Sequence, residues 1–192
     1  MKSNFVTYKV ASTAMLAISA LSCLSMKKNM TNFTIKTGLL SAAILLLNVG
    51  IAQQAHANSA NEVIQLVNQA RSQGRVCGNQ RFGAAGLLNR NGSLMNASQS
   101  HSTDMARTRK MSHTGSNGSS MSDRATRAGY RWRGIAENVA AGQKSSRSVV
   151  QAWLKSPGHC KNIMNPNYNE AGLGLARGRN NVLYWTMMFG RR

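Results

Sequence analysis

Trp153-Leu154-Lys155-Ser156-Pro157-Gly158-His159-Cys160-Lys161-Asn162-Ile163-Met164-Asn165-Pro166 combines a helix end, a break, an imidazole and a thiol. Upstream of it, Ser145 to Leu154 puts Val149, Val150, Trp153 and Leu154 on one face of a helix. Pro157-Gly158 interrupts that periodicity, and His159 to Met164 is expected to form a further helical turn. Downstream, Ala171 to Arg177 alternates glycine and apolar residues. Val182 to Phe189 is a strong strand candidate, with Arg179-Asn180-Asn181 as the turn between the two.

Toward the N-terminus the pattern is helical. Ser59 or Asn61 can cap a first helix whose face carries Val63, Ile64, Leu66 and Val67, running to about Arg71 and ending near Gly74. Residues 77–90 are rich in Gly and Arg and read as a loop. Leu94, Ala97, Ser98, His101, Met105 and Ala106 recur at helical spacing, predicting a second helix from about Ser93 to Arg109. Residues 112–119 read as an open loop. A short helix over about Ser120 to Ala128 stops at Gly129, and Tyr130 to Val139 reads as extended or irregular. Helices early and strands late predict an α+β class, with helices covering a mainly antiparallel sheet. Trp153, Tyr184, Trp185 and Phe189 are expected in the core. Nothing divides residues 58–192 into two domains.

Residues 1–57 read as a leader. Met26, Lys27, Lys28 and Lys36 precede the apolar run Gly38 to Ala52, and Ala55-His56-Ala57 supplies a small-x-small end. The expected cleavage follows Ala57, and Met26 is the expected start. Residues 1–25 are then either untranslated or an N-terminal anchor. The chain carries 24 Lys+Arg, 5 Asp+Glu and a net charge of +19. All basic residues of the leader are lysines and it has no acids, so residues 58–192 carry +14. No transmembrane segment is expected in that mature chain, and a secreted or periplasmic location follows. Cys77 and Cys160 remain as the only mature cysteines, and in an oxidising compartment they are expected to pair.

Charge and motif together exclude several classes. Five acids cannot furnish a calcium cage or a carboxylate-rich magnesium site. There is no G-x-S-x-G, H-E-x-x-H, G-x-x-x-x-G-K-[ST] or G-x-G-x-x-G. Serine hydrolases of the common kind, zincin proteases, P-loop NTPases and dinucleotide enzymes are therefore disfavoured. Specific nucleic-acid binding would need a recognition motif with exposed aromatics, and neither is present.

Four blocks occur in order: His101-Ser102-x-Asp104-Met105-Ala106; Ser112-His113-Thr114-Gly115 with Gly118; Arg124-x-x-x-Ala128-Gly129-Tyr130 leading to Glu137-Asn138-Val139-Ala140-x-Gly142; and Trp153 to Pro166 with Gly172-x-Gly174. Over residues 60–190 this resembles the bacterial branch of the CAP superfamily (cysteine-rich secretory proteins, antigen 5, plant pathogenesis-related proteins). The resemblance implies a three-layer α-β-α sandwich with a central cleft lined by two histidines and two acids. In some members the histidine pair binds a divalent cation. By motif, the histidines are His113 and His159 and the first acid is Glu137. The second acid belongs on the following helix, but Ser145 to Ser156 contains none. Ala136 stands where the family has glycine before Glu137, which would strain the chain if a positive φ were required there.

Imidazoles suit zinc or copper, and two of them with one carboxylate would leave open metal positions. A carboxylate beside a histidine can instead fix its tautomer and raise its basicity. His101, at helical spacing with Leu94, Ala97 and Met105, reads as a buried structural residue. Ser102 beside it diverges on the helix and is no nucleophile. Asn138 and Asn162 are expected to bond backbone. The arginines at 71, 75, 81, 90, 107, 109, 124, 127, 131 and 133 read as a basic surface facing an anionic envelope polymer, lipopolysaccharide or host surface. The leading expectation is a monomeric exported domain whose cleft of His113, Glu137 and His159 binds a metal through His113 and His159, or a small ligand. Two rivals stay open: a metal- or His-assisted hydrolase of peptide or envelope substrates, and a non-catalytic adhesion or host-interaction module.

Overall fold

The structure is a computed structural model that describes residues 58–192. The leader and its expected cleavage after Ala57 lie outside the described residues. Residues 58–71 are helical (α1). There follow β1 (Arg75–Cys77), β2 (Gln80–Phe82), β3 (Asn89–Arg90), α2 (Gly92–Thr108), α3 (Met121–Arg127), β4 (Gly134–Ala141), α4 (Ser146–Lys155), α5 (Pro157–Met164), β5 (Glu170–Arg177) and β6 (Leu183–Arg191).

The main sheet runs in the order β3-β5-β6-β4. Its long pairs, β5–β6 and β4–β6, are antiparallel, but the edge pair β3–β5 is parallel, so the sheet is mixed. On one face α1, α4 and α5 bury Val63, Val67, Val149, Trp153 and Ile163 against Ala171, Leu173, Trp185, Met187 and Phe189. On the other, Leu94 and Ala97 of α2 and Ala125 of α3 pack with Tyr130 and Met188. This is an α-β-α sandwich, and the period-2 alternation of β6 divides its side chains between the two cores. Met187 and Met188 therefore serve one core each.

Caps set the helix boundaries within a residue or two of their predicted places. Asn91 accepts from the Leu94 amide to open α2, and Ser120 and Ser145 form capping boxes at α3 and α4. Gly129 ends α3 in the left-handed region, φ 80°. Ala136 does not have a positive φ; it is an ordinary β4 residue opposite Phe189 and carries no strain of that kind.

Two sequence expectations need correction. Residues 77–90 are not all loop: Cys77 pairs with Gln80 across a Gly78-Asn79 turn, and Asn89 and Arg90 edge the main sheet. Pro157-Gly158 is the start of α5, not a gap before it. Proline at the first helical position loses nothing, because that amide has no partner within the helix.

Gly172 and Gly174 set the distance between α2 and the sheet. A Cβ on Gly172 would overlap the Leu94–Met95 peptide, and one on Gly174 would overlap the peptide joining Ser98 to Gln99. The helix backbone therefore rests on β5, and Ser98 Oγ donates to the Gly172 carbonyl at 3.0 Å. Cys77 and Cys160 form the expected disulfide, with Cα atoms 5.5 Å apart, tying β1 to α5. Closing a loop across 83 residues contributes about 4 kcal/mol in the chain-entropy model.

Candidate functional site

Consecutive residues of β4 look to opposite faces of the sheet. Glu137 lies opposite Met188 and turns toward α2 and α3; Asn138 lies opposite Met187 and turns toward α5. The Glu137 side chain is closed to solvent. Its Oε2 accepts from Arg124 Nη2 at 2.7 Å, and its Oε1 accepts from His113 Nδ1 at 2.9 Å. Both carboxylate oxygens are thus engaged.

His113 stands on a segment that is clamped, not open as its composition suggests. Arg124 Nη2 donates to the His113 carbonyl (3.0 Å) and Nη1 to that of Ser119 (2.8 Å). His101 Nε2 donates to the Ser112 carbonyl at 2.7 Å. Asp104 receives the Ser116 amide at 2.7 Å and its hydroxyl at 2.6 Å. Three side chains from α2 and α3 therefore fix the loop that presents His113. The His113 side chain itself is 59% exposed, so with Nδ1 on Glu137 its Nε2 is left for solvent or a ligand.

His159 enters from the first turn of α5. Asn138 Nδ2 donates to its carbonyl at 3.1 Å, and Asn162 Nδ2 bonds the Asn138 side chain at 2.9 Å and the Glu137 carbonyl at 3.3 Å. These amides bond backbone, as expected, and they lock α5 to β4 at the histidine.

The two imidazoles titrate in opposite directions. The hydrogen bond to Glu137 raises the pKa of His113. Burial lowers that of His159, and the charge of His113 lowers it further. His101 is lowered mainly by burial. It lies 3.9 Å from Glu137 Oε1, beyond hydrogen-bond range, and its Nε2–H is given to Ser112. It is a buried structural residue. Ser102 donates to Thr186 Oγ1 at 2.9 Å inside the core.

Two arginines assigned to the basic surface are inside. Arg71 is 0% exposed and bonds four carbonyls, those of Gly86, Ile163, Asn165 and Tyr168. Arg124 is the partner of Glu137. Charge count alone cannot distinguish a buried guanidinium from a solvated one. The remaining signal for Arg124 was its place in the block leading to Gly129 and Tyr130.

A metal centre here would rest on few ligands. Among the described residues, no group of three His, Cys, Asp or Glu converges to hold an ion. Glu137 has both oxygens committed and acts on His113 instead of binding an ion directly. Among the described residues, any ion here would have to draw on His113 Nε2 and a ring nitrogen of His159.

The family model for the cysteine-rich secretory protein family matches residues 64–189. The chain belongs to the CAP family. The CAP domain has relatives in Bacillus subtilis: YkwD, 33% identical over 96 residues, and the membrane protein YlbC, 30% identical over 92. The matches cover 50% and 48% of this chain but only 36% and 25% of those proteins. Among solved structures, an extracellular SCP-domain protein of Bacillus anthracis superposes with a TM-score of 0.61 at 25% identity, covering 73% of this chain and 42% of that one. An outer surface protein of Borrelia burgdorferi gives 0.55 at 20% identity, covering 69% and 88%, and it supports the fold alone. Among the described residues no helix is long and apolar enough to cross a membrane.

Proposed function

We propose that this CAP domain is exported and uses His113 and His159 to take a divalent cation or a small ligand. The observation that carries the reading is the His113–Glu137–Arg124 relay. Arg124 fixes the carboxylate, the carboxylate fixes the Nδ1–H tautomer of His113, and the exposed ring is left with Nε2 as a directed donor. A carboxylate behind a metal-binding histidine orients the ring and raises its basicity. A bound zinc or copper ion would supply Lewis acidity with open coordination positions. Export is supported by the extracellular description of the Bacillus anthracis relative and by the disulfide.

Calorimetric titration with zinc and with copper(II) tests this. Saturable heat at micromolar metal is expected for the wild type, and loss of it in His113→Ala/His159→Ala. Absence of heat in the wild type, or heat that survives the double substitution, overturns the metal reading.

One observation favours a hydrolytic alternative. The raised His113 and lowered His159 would supply a proton donor and an acceptor at the same pH. Hydrolysis of a peptide or envelope substrate that vanishes in both single alanine variants would support it. Activity that survives both would exclude this cleft.

A further inference from the structure

A cavity of about 510 Å³ lies between α2, the 112–119 loop and α3, and neither His113 nor His159 lines it. Its walls carry three guanidiniums, Arg107, Arg124 and Arg127, against the single carboxylate of Asp104. Both oxygens of Asp104 are engaged: Oδ1 accepts from Arg107 Nη2 and Ser116 Oγ, and Oδ2 from the Ser116 amide. The guanidiniums are not. Arg107 spends Nη2 on Asp104 and Ser116, and Arg127 spends Nε on the Asp123 carbonyl, which leaves each with further donors. Arg124 is 5% exposed and its Nε has no partner.

The same wall holds an unmet acceptor. His101 is 1% exposed, gives its Nε2–H to Ser112 and keeps Nδ1 without a partner. His101 Nδ1 and Arg124 Nε are both closed to solvent, so the groups the space offers a ligand are the exposed guanidiniums of Arg107 and Arg127. The excess of guanidinium donors selects an anion, and arginine forks suit carboxylate and phosphate. The volume falls within the range of about 300–1,000 Å³ typical of small-molecule sites.

We propose that this cavity binds a small organic anion through a carboxylate or phosphate group, for which glucuronate and glucose 6-phosphate are probes and glucose the neutral control. The anionic group sits on Arg107 and Arg127, whose guanidiniums keep free donors. Neither cleft histidine lines this site, although Arg124 and the 112–119 loop border both.

Titrating the intact protein with glucuronate, glucose 6-phosphate and glucose, followed by calorimetry and amide NMR shifts, tests it. Saturable binding of at least one acidic sugar is expected, with shifts at Ser100, Gly115 and Ser119 and glucose weaker by about tenfold or more. Arg107→Ala/Arg127→Ala should weaken binding by a similar factor. Ser100→Trp, at an exposed α2 position on the cavity wall, keeps every charge and should abolish binding by filling the space. His113→Ala/His159→Ala should bind as the wild type does. Failure of both acidic sugars to saturate, equal binding of glucose, or binding that persists in folded Ser100→Trp overturns the proposal.

Discussion

Arg124 and Glu137 form a closed ion pair, Nη2 to Oε2 at 2.7 Å, and the same guanidinium holds the carbonyl of His113. One side chain therefore fixes both the carboxylate that orients the exposed imidazole and the loop that carries it. Removing one partner of a buried pair leaves a charge stranded in low dielectric. Arg124→Ala is expected to cost roughly 3–5 kcal/mol. Urea unfolding measures this; a loss below about 1 kcal/mol would mean that the pair is solvated.

Glu137→Gln separates orientation from stability. The amide still accepts from Arg124 but no longer favours a charged His113. The His113 pKa should fall toward or below its ordinary value, while that of His159 should rise or stay unchanged. The raised His113 pKa contributes stability that is present below the unfolded-state pKa and is lost as pH rises through the folded one. The lowered His159 contributes in the opposite sense, losing its share as pH falls. Imidazole proton shifts against pH should give His113 above His159 in the wild type, with a narrower gap in Glu137→Gln. Metal affinity, where present, should drop about 10–100-fold in that variant.

Asp104 sets an acid limit. Its bonds to Ser116 and Arg107 hold the carboxyl at about 2, below the usual 3.8. The contribution is complete above the ordinary value and disappears as pH falls toward about 2. After allowance for its partial exposure it is worth about 1–2 kcal/mol. Asp104→Asn should lower stability by that amount at pH 7 and by nearly nothing at pH 2, read from melting temperatures.

The glycines of β5 should be intolerant. Gly174→Ala drives a methyl into the backbone of Ser98 and Gln99, which cannot yield as a side chain can. A loss of about 3 kcal/mol or more is expected, at or beyond the upper end for overpacking. A soluble, fully stable Gly174→Ala protein would place α2 farther from the sheet than described.

Much of this fold is written locally. The periodic apolar faces, the caps at Asn91, Ser120 and Ser145 and the alternation in β5 and β6 are short-range signals, and the elements sit close to where those signals place them. Three features escape that local reading. The hairpin of β1 and β2 is three residues per strand, too short to show alternation. Pro157 reads as a break until its role as a first helical residue is seen. Arg71 and Arg124 look like surface cations because nothing adjacent to them marks the carbonyls and carboxylate they meet 5 to 97 residues away.

The candidate site residues were legible as motifs, and their hydrogen-bond partners only in part. His113, Glu137 and His159 stand out by type and context. That Glu137 has no free oxygen follows from Arg124, a residue whose burial no local pattern records. The absence of an acid from α4 was readable at once, since Ser146–Lys155 holds none.

Diffraction at the zinc edge from crystals soaked in zinc bears most directly on the paired imidazoles. An anomalous peak is expected about 2.1 Å from His113 Nε2 and from an imidazole nitrogen of His159, with Glu137 still on His113 Nδ1. A saturating soak with no peak between the two rings, or zinc held there by Glu137 in place of His113, would contradict it.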